Sequence, residues 1–355
     1  MAVRPAAASA ARSAESGPRE GAGFVLPQMG IFAQGTHAHH FLEFDLRQGV
    51  SAGEAIASFR RLRNPDVSAG GANLVIAFGS RTWRAVAATD APADLAPFRE
   101  IRGGGGRTVP ATQHDAWLWV SGAEPDETWD RARAAALAVA DAVDLVAELQ
   151  GFTYRGGRDI TGFVDGTANP QVRRAGDVAL VPPGQRGAGG SHVLAMRWVH
   201  DLAAFHRLSV EDQQRVFGRT KADSLELPPA EKPASAHIAR VEIDRDGEEL
   251  EIFRRSVPYG SVAEHGLNFV AFSRERARYD LMLARMFGTA GDGVHDRLTD
   301  FSRPVAAAYY FAPSESVLNE LAENDWTTTT GRRRTRRSGP RRPIEANRAG
   351  THGNA

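Results

Sequence analysis

The sequence predicts an α+β fold made of two successive units of similar organisation. Short apolar runs typical of buried strands alternate with helical segments in residues 24–151, and a similar mixture returns in residues 152–313. Helices that pack on one face of an antiparallel sheet give this fold class. The 355 residues are 42% hydrophobic and 24% charged, so the chain can bury a large core.

The first unit is predicted to hold three strands and two helices. Residues 40–46 alternate between apolar and polar side chains like a strand, and residues 72–78 and 116–120 are short apolar runs typical of buried strands. Ser51 and Glu54 have the spacing of a capping box, which predicts a helix from there to about Arg63. An apolar stripe predicts a second, long helix over residues 127–149.

The second unit repeats this logic from residue 152 onward. The predicted strands are residues 193–199, 237–243, 251–257 and 268–272, and the predicted helices are residues 211–217 and 274–287. The proline- and glycine-rich residues 182–190 are interpreted as a loop inside this unit. We therefore place the domain boundary near Gly151.

Two terminal segments fall outside these units. Residues 1–23 are rich in Ala, Ser and Arg without the apolar stretch of a secretory signal, and we expect a disordered leader. Residues 314–355 form an extension whose arginine-rich part, residues 332–342, cannot bury an apolar face and is expected to be disordered. Such a tail could bind polyanions, but a solvated tail is the simpler interpretation.

The charge balance and hydropathy argue against several classes of protein. Basic and acidic residues number 43 each, so the net charge gives no reason to expect nucleic acid or a membrane surface as partner. No run approaches the ~20 apolar residues of a transmembrane helix. The chain has no cysteine, which excludes disulfides, thiolate ligands, iron–sulfur clusters and thioether-linked cofactors. We expect a cytoplasmic protein.

Residues 162–170 read Gly-Phe-Val-Asp-Gly-Thr-Ala-Asn-Pro, a pattern typical of neither helix nor strand. Gly162 and Gly166 allow backbone angles that other residues avoid, and Asp-Gly and Asn-Pro both favour turns. An Asp-Gly pair by itself is most often a surface hairpin turn. Asp165 stands between the two glycines, and the run as a whole contains more than a turn requires.

The chain has 11 histidines, of which two groups are candidate ligands. His37, His39 and His40 form a His-x-His-His cluster, but no acid or cysteine lies at ligand spacing, so a metal site is the weaker interpretation. His237 opens a predicted strand, from which an imidazole could be directed into a pocket. A structural role is the commoner one for a histidine in that position.

Four separated segments resemble, in the same order, motifs of the dye-decolorizing peroxidases. They are residues 162–170, 217–221, 236–238 and 249–260, and the first is almost letter for letter the family's Gly-x-x-Asp-Gly signature. The resemblance extends from about residue 25 to residue 312 and is strongest to the shorter bacterial type. It implies two ferredoxin-like domains, of which the C-terminal one holds non-covalent haem b (iron protoporphyrin IX), with Gly162 and Gly166 in the cofactor-binding loop.

On the distal side of the haem, the resemblance places Asp165 above the iron, and Arg254 with Ser256 beside it. Alternation along the predicted strand agrees, since it puts Arg254 and Ser256 on one face and Arg255 on the other.

On the proximal side, His237 matches the histidine that ligates the iron in this family. Glu249 falls where the family has an acid that accepts a hydrogen bond from this imidazole, although Glu251 is close enough to remain an alternative. Arg219 resembles the partner of a haem propionate.

The function that the resemblance implies is a haem-dependent peroxidase. It would reduce hydrogen peroxide and oxidise phenolic, dye-like or other small reductants through a high-valent iron–oxo intermediate. Since cysteine is absent, the haem must be held by histidine or oxygen. A haem-handling protein with incidental peroxidase activity and a haem-free α+β module are the two alternatives. We expect a homo-oligomer, whose size the sequence does not indicate.

Overall fold

The computed structural model describes residues 25–62 and 71–323. Within these ranges the helices are α1 (Ala52–Arg60), α2 (Ser80–Val86), α3 (Pro125–Val139), α4 (Val172–Ala179), α5 (Leu202–Phe205), α6 (Val210–Phe217), α7 (His237–Val241), α8 (Ala277–Met286) and α9 (Glu315–Glu323). The strands are β1 (Ala38–Leu46), β2 (Asn73–Phe78), β3 (Ile101–Arg102), β4 (Thr108–Val109), β5 (Ala116–Gly122), β6 (Val143–Phe152), β7 (Ser191–His200), β8 (Asp244–Arg245), β9 (Glu248–Glu249), β10 (Phe253–Arg254), β11 (Val257–Gly260), β12 (His265–Ser273) and β13 (Ser302–Ala312). The predicted leader, residues 1–23, and the arginine-rich residues 332–342 lie outside the described residues.

Eight strands close into an antiparallel barrel in the order β7, β12, β11, β6, β1, β5, β2 and β13, with β13 returning to β7. Two four-stranded sheets make up this ring. The first half of the chain supplies β6, β1, β5 and β2, and the second half supplies β11, β12, β7 and β13. The predicted α+β fold with antiparallel sheets and packed helices is confirmed.

The two sheets meet at two narrow seams. The pair Phe78 and Phe311 joins β2 to β13, and the pair Gly151 and Tyr259 joins β6 to β11. The predicted domain boundary near Gly151 lies at the second of these seams. The barrel therefore depends on side-chain packing across the seams as well as on its ladders.

The three larger apolar clusters of the described residues lie on and between the two sheets. The outer face of the first sheet packs against α1, α2, α3 and α9, and its core includes the fully buried Phe59 and Leu318. Aromatic side chains such as Trp119 fill the barrel interior, and the outer face of the second sheet packs against Tyr279 and its neighbours on α8. In the described ranges, no helix is long and apolar enough to cross a bilayer.

Most of the predicted elements are confirmed. The predicted strands 40–46, 72–78, 116–120, 193–199 and 268–272 correspond to β1, β2, β5, β7 and β12, and the predicted helices 211–217 and 274–287 correspond to α6 and α8. The capping box is present, because Ser51 Oγ accepts from Glu54 N at 3.3 Å and Glu54 Oε2 accepts from Ser51 N at 2.9 Å. The helix that it opens ends at Arg60.

The predicted long helix over residues 127–149 is wrong. The helix α3 ends at Val139, and Val143–Phe152 form β6, which pairs along its length with β1. The apolar positions 143 and 146 fit a helical stripe as well as a strand, and no glycine or proline marks the change at residues 140–142. Pairing with β1 decides the outcome, as tertiary context commonly does for such ambiguous runs.

The predicted strand over residues 237–243 is also wrong. His237–Val241 form the short helix α7, which follows a turn in which Ala236 N donates to Pro233 O at 3.0 Å. The sequence alternates like a strand, but Arg240 is buried as well as Ile238, and Arg240 Nε donates to Arg285 O at 3.0 Å. The sequence pattern cannot show that an arginine is buried, because its burial depends on hydrogen bonds to residues that are distant in sequence.

Candidate active site

A cavity lies on the outer face of the second sheet, with a volume of about 180 Å³. Its mostly apolar walls and the few polar side chains among them suit a flat, largely apolar cofactor. Strands β7 and β12, helices α7 and α8, and the loop that contains the Asp-Gly pair surround it. Its apolar lining is formed by Leu194, Met196, Trp198, Ile238, Leu267, Phe269, Tyr279, Met282, Leu283 and Met286.

The loop that contains the Asp-Gly pair presents Asp165 to this cavity. Asp165 N donates to Gly157 O at 3.0 Å, which holds the aspartate in place from the main chain. Gly166 lines the cavity at φ +79°, a conformation that favours glycine. Gly162 has φ +92°, and a Cβ at this position would lie 2.8 Å from Lys221 Cε. The position therefore favours glycine as well.

The pKa of the Asp165 carboxyl is set by opposing effects of its surroundings. Burial raises the pKa of the Asp165 carboxyl, and the Arg254 guanidinium opposes this shift. The Asp159 carboxylate raises the same pKa further, while the hydrogen bond from Gly166 N to Asp165 Oδ1 at 2.6 Å lowers it. A carboxyl balanced in this way can take up a proton and return it.

Asn169 fixes the position of Arg254. Asn169 Oδ1 accepts from Arg254 N at 2.9 Å, and Asn169 Nδ2 donates to Arg254 O at 2.8 Å. Asn169 lies four residues after Asp165 in the same loop. Its two hydrogen bonds therefore tie the backbone of Arg254 to the loop of Asp165. The Arg254 side chain lines the cavity and makes no hydrogen bond to any other described side chain, so its guanidinium is available to a ligand.

Arg255 and Ser256 do not reach the cavity. Arg255 points to the barrel, where its guanidinium donates to Ile31 O and Thr36 Oγ1, each at 3.1 Å. The predicted alternation therefore holds for Arg254 and Arg255. Ser256 is absent from the described lining of the cavity, and its Oγ accepts from Val270 N at 3.3 Å on the neighbouring strand.

His237 also lines the cavity, as the first residue of α7. Its Nδ1 lies 2.6 Å from Oδ2 of Asp296, a fully buried carboxyl whose Oδ1 accepts from Leu298 N at 2.9 Å. The Nε2 atom makes no hydrogen bond to any residue in the described part of the chain. Since Nδ1 is engaged by the carboxylate, Nε2 is the atom left to bind a metal.

The prediction that Glu249 or Glu251 supports this imidazole is wrong. Asp296 occupies that position instead, from a turn 59 residues after His237. Glu251 Oε2 accepts from Arg174 Nη2 at 2.5 Å, and Glu249 is exposed at the edge of the cavity. Asp296 lies before a short 3₁₀ helix and has no sequence motif, so only its fold context could have identified it.

A second buried polar group lines the cavity beside Asp165 and has no counterpart in the sequence-based prediction. His200 Nε2 lies 3.2 Å from Asp159 Oδ1, and His200 Nδ1 lies 2.7 Å from Ser302 Oγ. Burial by itself would raise the pKa of Asp159, but hydrogen bonds from His200 and Thr161 lower it below its usual value. The cavity therefore holds one carboxyl with a raised pKa next to one with a lowered pKa.

Arg219 lies at the polar end of the cavity. Its Nη1 donates to Ser224 O at 3.1 Å, and its Nη2 lies 3.6 Å from Glu242 Oε1. Burial raises the pKa of Glu242, and Glu226 raises it further, while Lys232 and Arg219 lower it. A guanidinium in this position could bind the acidic group of a cofactor that fills the cavity.

These features fit haem. The apolar walls suit a macrocycle, Nε2 of His237 offers one metal-binding nitrogen without a competing hydrogen bond, and Arg219 can neutralise a propionate. No cysteine is needed for such a site.

The His-x-His-His cluster lies elsewhere. His39 is in the barrel interior, where Trp119 Nε1 donates to its Nδ1 at 3.2 Å and burial lowers its pKa to about 3. No group of three or more His, Cys, Asp or Glu residues is arranged to hold a metal ion in the ranges that the structure describes. A buried histidine of this kind is part of the core.

Comparison with known proteins agrees with this arrangement. The family model described as "Dyp-type peroxidase, N-terminal" matches residues 28–153, and that described as "Dyp-type peroxidase, C-terminal" matches residues 156–317. A dye-decolorizing peroxidase of Mycobacterium tuberculosis is 36% identical over 251 residues, which cover 70% of this chain and 75% of that protein. One of Rhodococcus erythropolis is 32% identical over 296 residues, which cover 80% of this chain and 86% of that protein.

Solved structures show the same likeness. A crystal structure of a Dyp-type peroxidase protein from Shewanella oneidensis has a TM-score of 0.78 and 31% identity, and the match covers 85% of this chain and 100% of that chain. A variant of DypB from Rhodococcus jostii in complex with heme has a TM-score of 0.76 and 31% identity, with 83% of this chain and 98% of that chain covered. On the matches of both domains and of full-length relatives, the chain belongs to the Dyp-type peroxidase family.

Proposed function

We propose that this peroxidase binds haem b non-covalently in the cavity, reduces hydrogen peroxide there and oxidises a small reductant. One observation carries the proposal: a single cavity is lined both by an imidazole that has a carboxylate on its second nitrogen and by a separate carboxyl and guanidinium. His237 with Asp296 forms the first group, and Asp165 with Arg254 forms the second. Haem bound in this cavity would supply the redox chemistry.

His237 and Asp296 act on the proximal side. The buried carboxylate of Asp296 accepts a hydrogen bond from His237 Nδ1, so Nε2 would be the nitrogen that binds the haem iron. Such a carboxylate also makes the imidazole a stronger electron donor. The pair therefore favours the oxidised states of the cofactor.

Asp165 and Arg254 act on the distal side. Hydrogen peroxide can lose water only if a proton moves from one of its oxygens to the other. Asp165 accepts that proton as a base and returns it as an acid. The fixed charge of Arg254 stabilises negative charge on the leaving oxygen and keeps Asp165 more acidic than burial alone would allow.

We propose phenols and synthetic dyes as the class of reductant. Support comes from the relatives in M. tuberculosis and R. erythropolis, which are named dye-decolorizing peroxidases. Hydrogen peroxide takes up two electrons and two protons to give two waters, and two phenols supply these as one electron and one proton each. The haem-handling alternative has no observation of its own in its favour.

The test is the absorption spectrum of protein produced with adequate haem, followed by hydrogen peroxide turnover with a phenolic donor. Wild type should bind haem and turn over. His237→Ala should lose most of its haem, whereas His265→Ala, a histidine outside the cavity, should retain it. Haem bound through His237 without turnover above that of free haem would favour haem handling. Retention of wild-type haem by His237→Ala would overturn the site itself.

A further inference from the structure

A second cavity lies inside the barrel, with a volume of about 230 Å³. It is separated from the candidate active site by β7, whose residues alternate between the two spaces. Leu194 and Trp198 line the active-site cavity, while Ala195 and Arg197 line the barrel cavity. The partly exposed Thr112 lies among its lining residues and marks a route to solvent.

The barrel cavity exists because small side chains occupy one layer of the barrel. An eight-stranded barrel is just wide enough either for its own side chains to fill the interior or for one small ligand to bind there. Large aromatic residues fill the neighbouring layer, but alanines face the barrel cavity, namely Ala147, Ala195, Ala306 and Ala308. Interiors are otherwise close-packed, so a space of this size with a polar side chain at each end suits an occupant.

Arg197 is the feature that selects the occupant. It lies near the middle of β7, its neighbours in register are Asn268 and Ala306, and all three line the barrel cavity. Its Nε is buried without a hydrogen-bond partner, and its guanidinium forms no ion pair with any described residue. A partly buried guanidinium without a partner among the described residues is available to an anion in this cavity, and its planar fork matches a carboxylate.

Glu43 faces the barrel cavity from β1, which is four strand pairings away from β7 in either direction around the ring. It does not pair with Arg197, because its Oε2 accepts from the Tyr310 hydroxyl. Burial raises the pKa of Glu43, and Tyr310, His114 and Arg197 oppose the shift. A raised pKa makes it easier for Glu43 to take up a proton when an anion binds in the same cavity, so the carboxyl is a weaker obstacle to an anion than an ordinary glutamate would be.

The walls between these two ends are flat and apolar. Phe41 and Trp117 lie side by side with ring centroids 6.2 Å apart and planes inclined by 31°, and both line the barrel cavity. Trp119 already stacks on Phe41 and Tyr310 on Trp117, so a planar ligand would contact the parts of these two rings that remain open to the cavity. Aliphatic chains would use less of this surface.

We infer that the barrel cavity binds a small aromatic carboxylate, with its carboxylate on the Arg197 guanidinium and its ring against Phe41 and Trp117. This site is distinct from the peroxidase site and does not depend on the proposed haem function.

The test is calorimetric titration of the haem-loaded protein with benzoate. Wild type should bind benzoate, and Arg197→Leu should bind it about 10- to 100-fold more weakly, the factor expected for loss of charge-assisted hydrogen bonds. Arg197→Lys should be intermediate, because it keeps the charge and loses the planar fork. Benzamide, which has the ring without the charge, should bind no better to wild type than to Arg197→Leu.

Two further variants locate the ligand. Ala195→Leu fills the barrel cavity and leaves Arg197 in place, so it should abolish benzoate binding without changing the haem spectrum, and it serves as the test if Arg197→Leu fails to fold. Arg254→Leu removes the available guanidinium of the active-site cavity and should leave benzoate affinity unchanged. The inference is overturned if wild type does not bind benzoate, if Arg197→Leu binds it like wild type, or if only Arg254→Leu abolishes binding. The haem spectrum reports independently on the proposed function.

Discussion

At the scale of single residues, the candidate active site depends on two charged groups that share a cavity without a direct ion pair. Arg254 lowers the pKa of Asp165, but burial raises it by more, so the carboxyl titrates above its usual value. The base form of Asp165 is therefore lost as the pH falls through that raised pKa. This predicts an acid limb in the reaction of the haem-loaded enzyme with hydrogen peroxide.

Substitutions at the two positions should change this acid limb in different ways. Asp165→Asn should lower the rate with hydrogen peroxide by ~10²–10⁴-fold and remove the limb, because the proton carrier is gone. Arg254→Leu should lower the rate by ~10²–10³-fold and move the limb to higher pH, because Asp165 loses the cation that keeps it acidic. Stopped-flow rates across the pH range measure both effects.

Ser256→Ala is the control for these two variants. The Ser256 hydroxyl contacts Val270 N and not the cavity, so both the rate and the pH profile should stay close to wild type. If Asp165→Asn kept the wild-type rate and its acid limb, Asp165 would have no role in proton transfer and Arg254 would be the main distal catalyst.

Asp296 should control the reduction potential of the bound haem. Asp296→Asn keeps the shape of the side chain but weakens the acceptor on His237 Nδ1, so haem should be retained and its reduction potential should rise. Glu249→Gln is the matched control and should leave the potential unchanged, since Glu249 lies at the exposed edge. Spectroelectrochemical titration measures both, and a shift confined to Glu249→Gln would contradict the assignment.

At the scale of elements, Asn169 joins the loop of Asp165 to the strand of Arg254. Asn169→Ala removes both hydrogen bonds to the Arg254 backbone. A misplacement of about 1 Å can cost ~10²-fold in rate, so we expect a loss of that order with haem content retained. The acid limb should also move to higher pH, as in Arg254→Leu, because the guanidinium is no longer held near Asp165.

Gln171→Ala provides a control for Asn169→Ala, since Gln171 is an exposed amide two residues further along the chain. It should leave rate and pH profile unchanged. A reduced rate in Asn169→Ala with an unshifted acid limb would mean that Asn169 supports the loop without positioning Arg254.

The sequence was informative where local chemistry determines structure and misleading where distant contacts do. The capping box of α1 and the glycine-bounded loop could be predicted, because their hydrogen bonds join near neighbours. The end of α3 could not be, since pairing of β6 with β1 decides it. The helical state of His237 depends in the same way on the buried Arg240 and its contacts with α8.

The same distinction applies to the site residues. Asp165, Arg254, His237 and Arg219 belong to recognisable motifs, and the structure brings all four to one cavity. Asp296 belongs to no motif, and its approach to His237 depends on how the turn after α8 folds back against α7. Neither Glu249 nor Glu251 is the carboxylate next to His237 Nδ1. The sequence contains no motif that would have pointed to Asp296 instead.

At the scale of the whole molecule, the barrel is held at one narrow seam by a single buried side chain. Gln28 Nε2 donates to Ile76 O at 2.7 Å and to Pro313 O at 2.8 Å, and Gln28 Oε1 accepts from Ile76 N at 2.8 Å. It thus links β2 to the segment after β13, next to the only ladder pair between β2 and β13 in the described residues. The amide replaces hydrogen bonds that a longer ladder would have made.

Gln28→Ala should therefore destabilise the protein as a whole. Three buried main-chain groups would lose their partner, and each unsatisfied group costs roughly 1–3 kcal/mol before water relieves it. We expect the free energy of unfolding to fall by about 3–5 kcal/mol, the range of the largest single-residue effects. Gln34→Ala, which removes an exposed amide that contacts only Phe32 O, should change it by no more than about 0.5 kcal/mol. Urea unfolding of the haem-loaded variants measures this difference. Equal midpoints for the two would show that the seam is held by packing of Phe78 and Phe311 on Trp83 and not by Gln28.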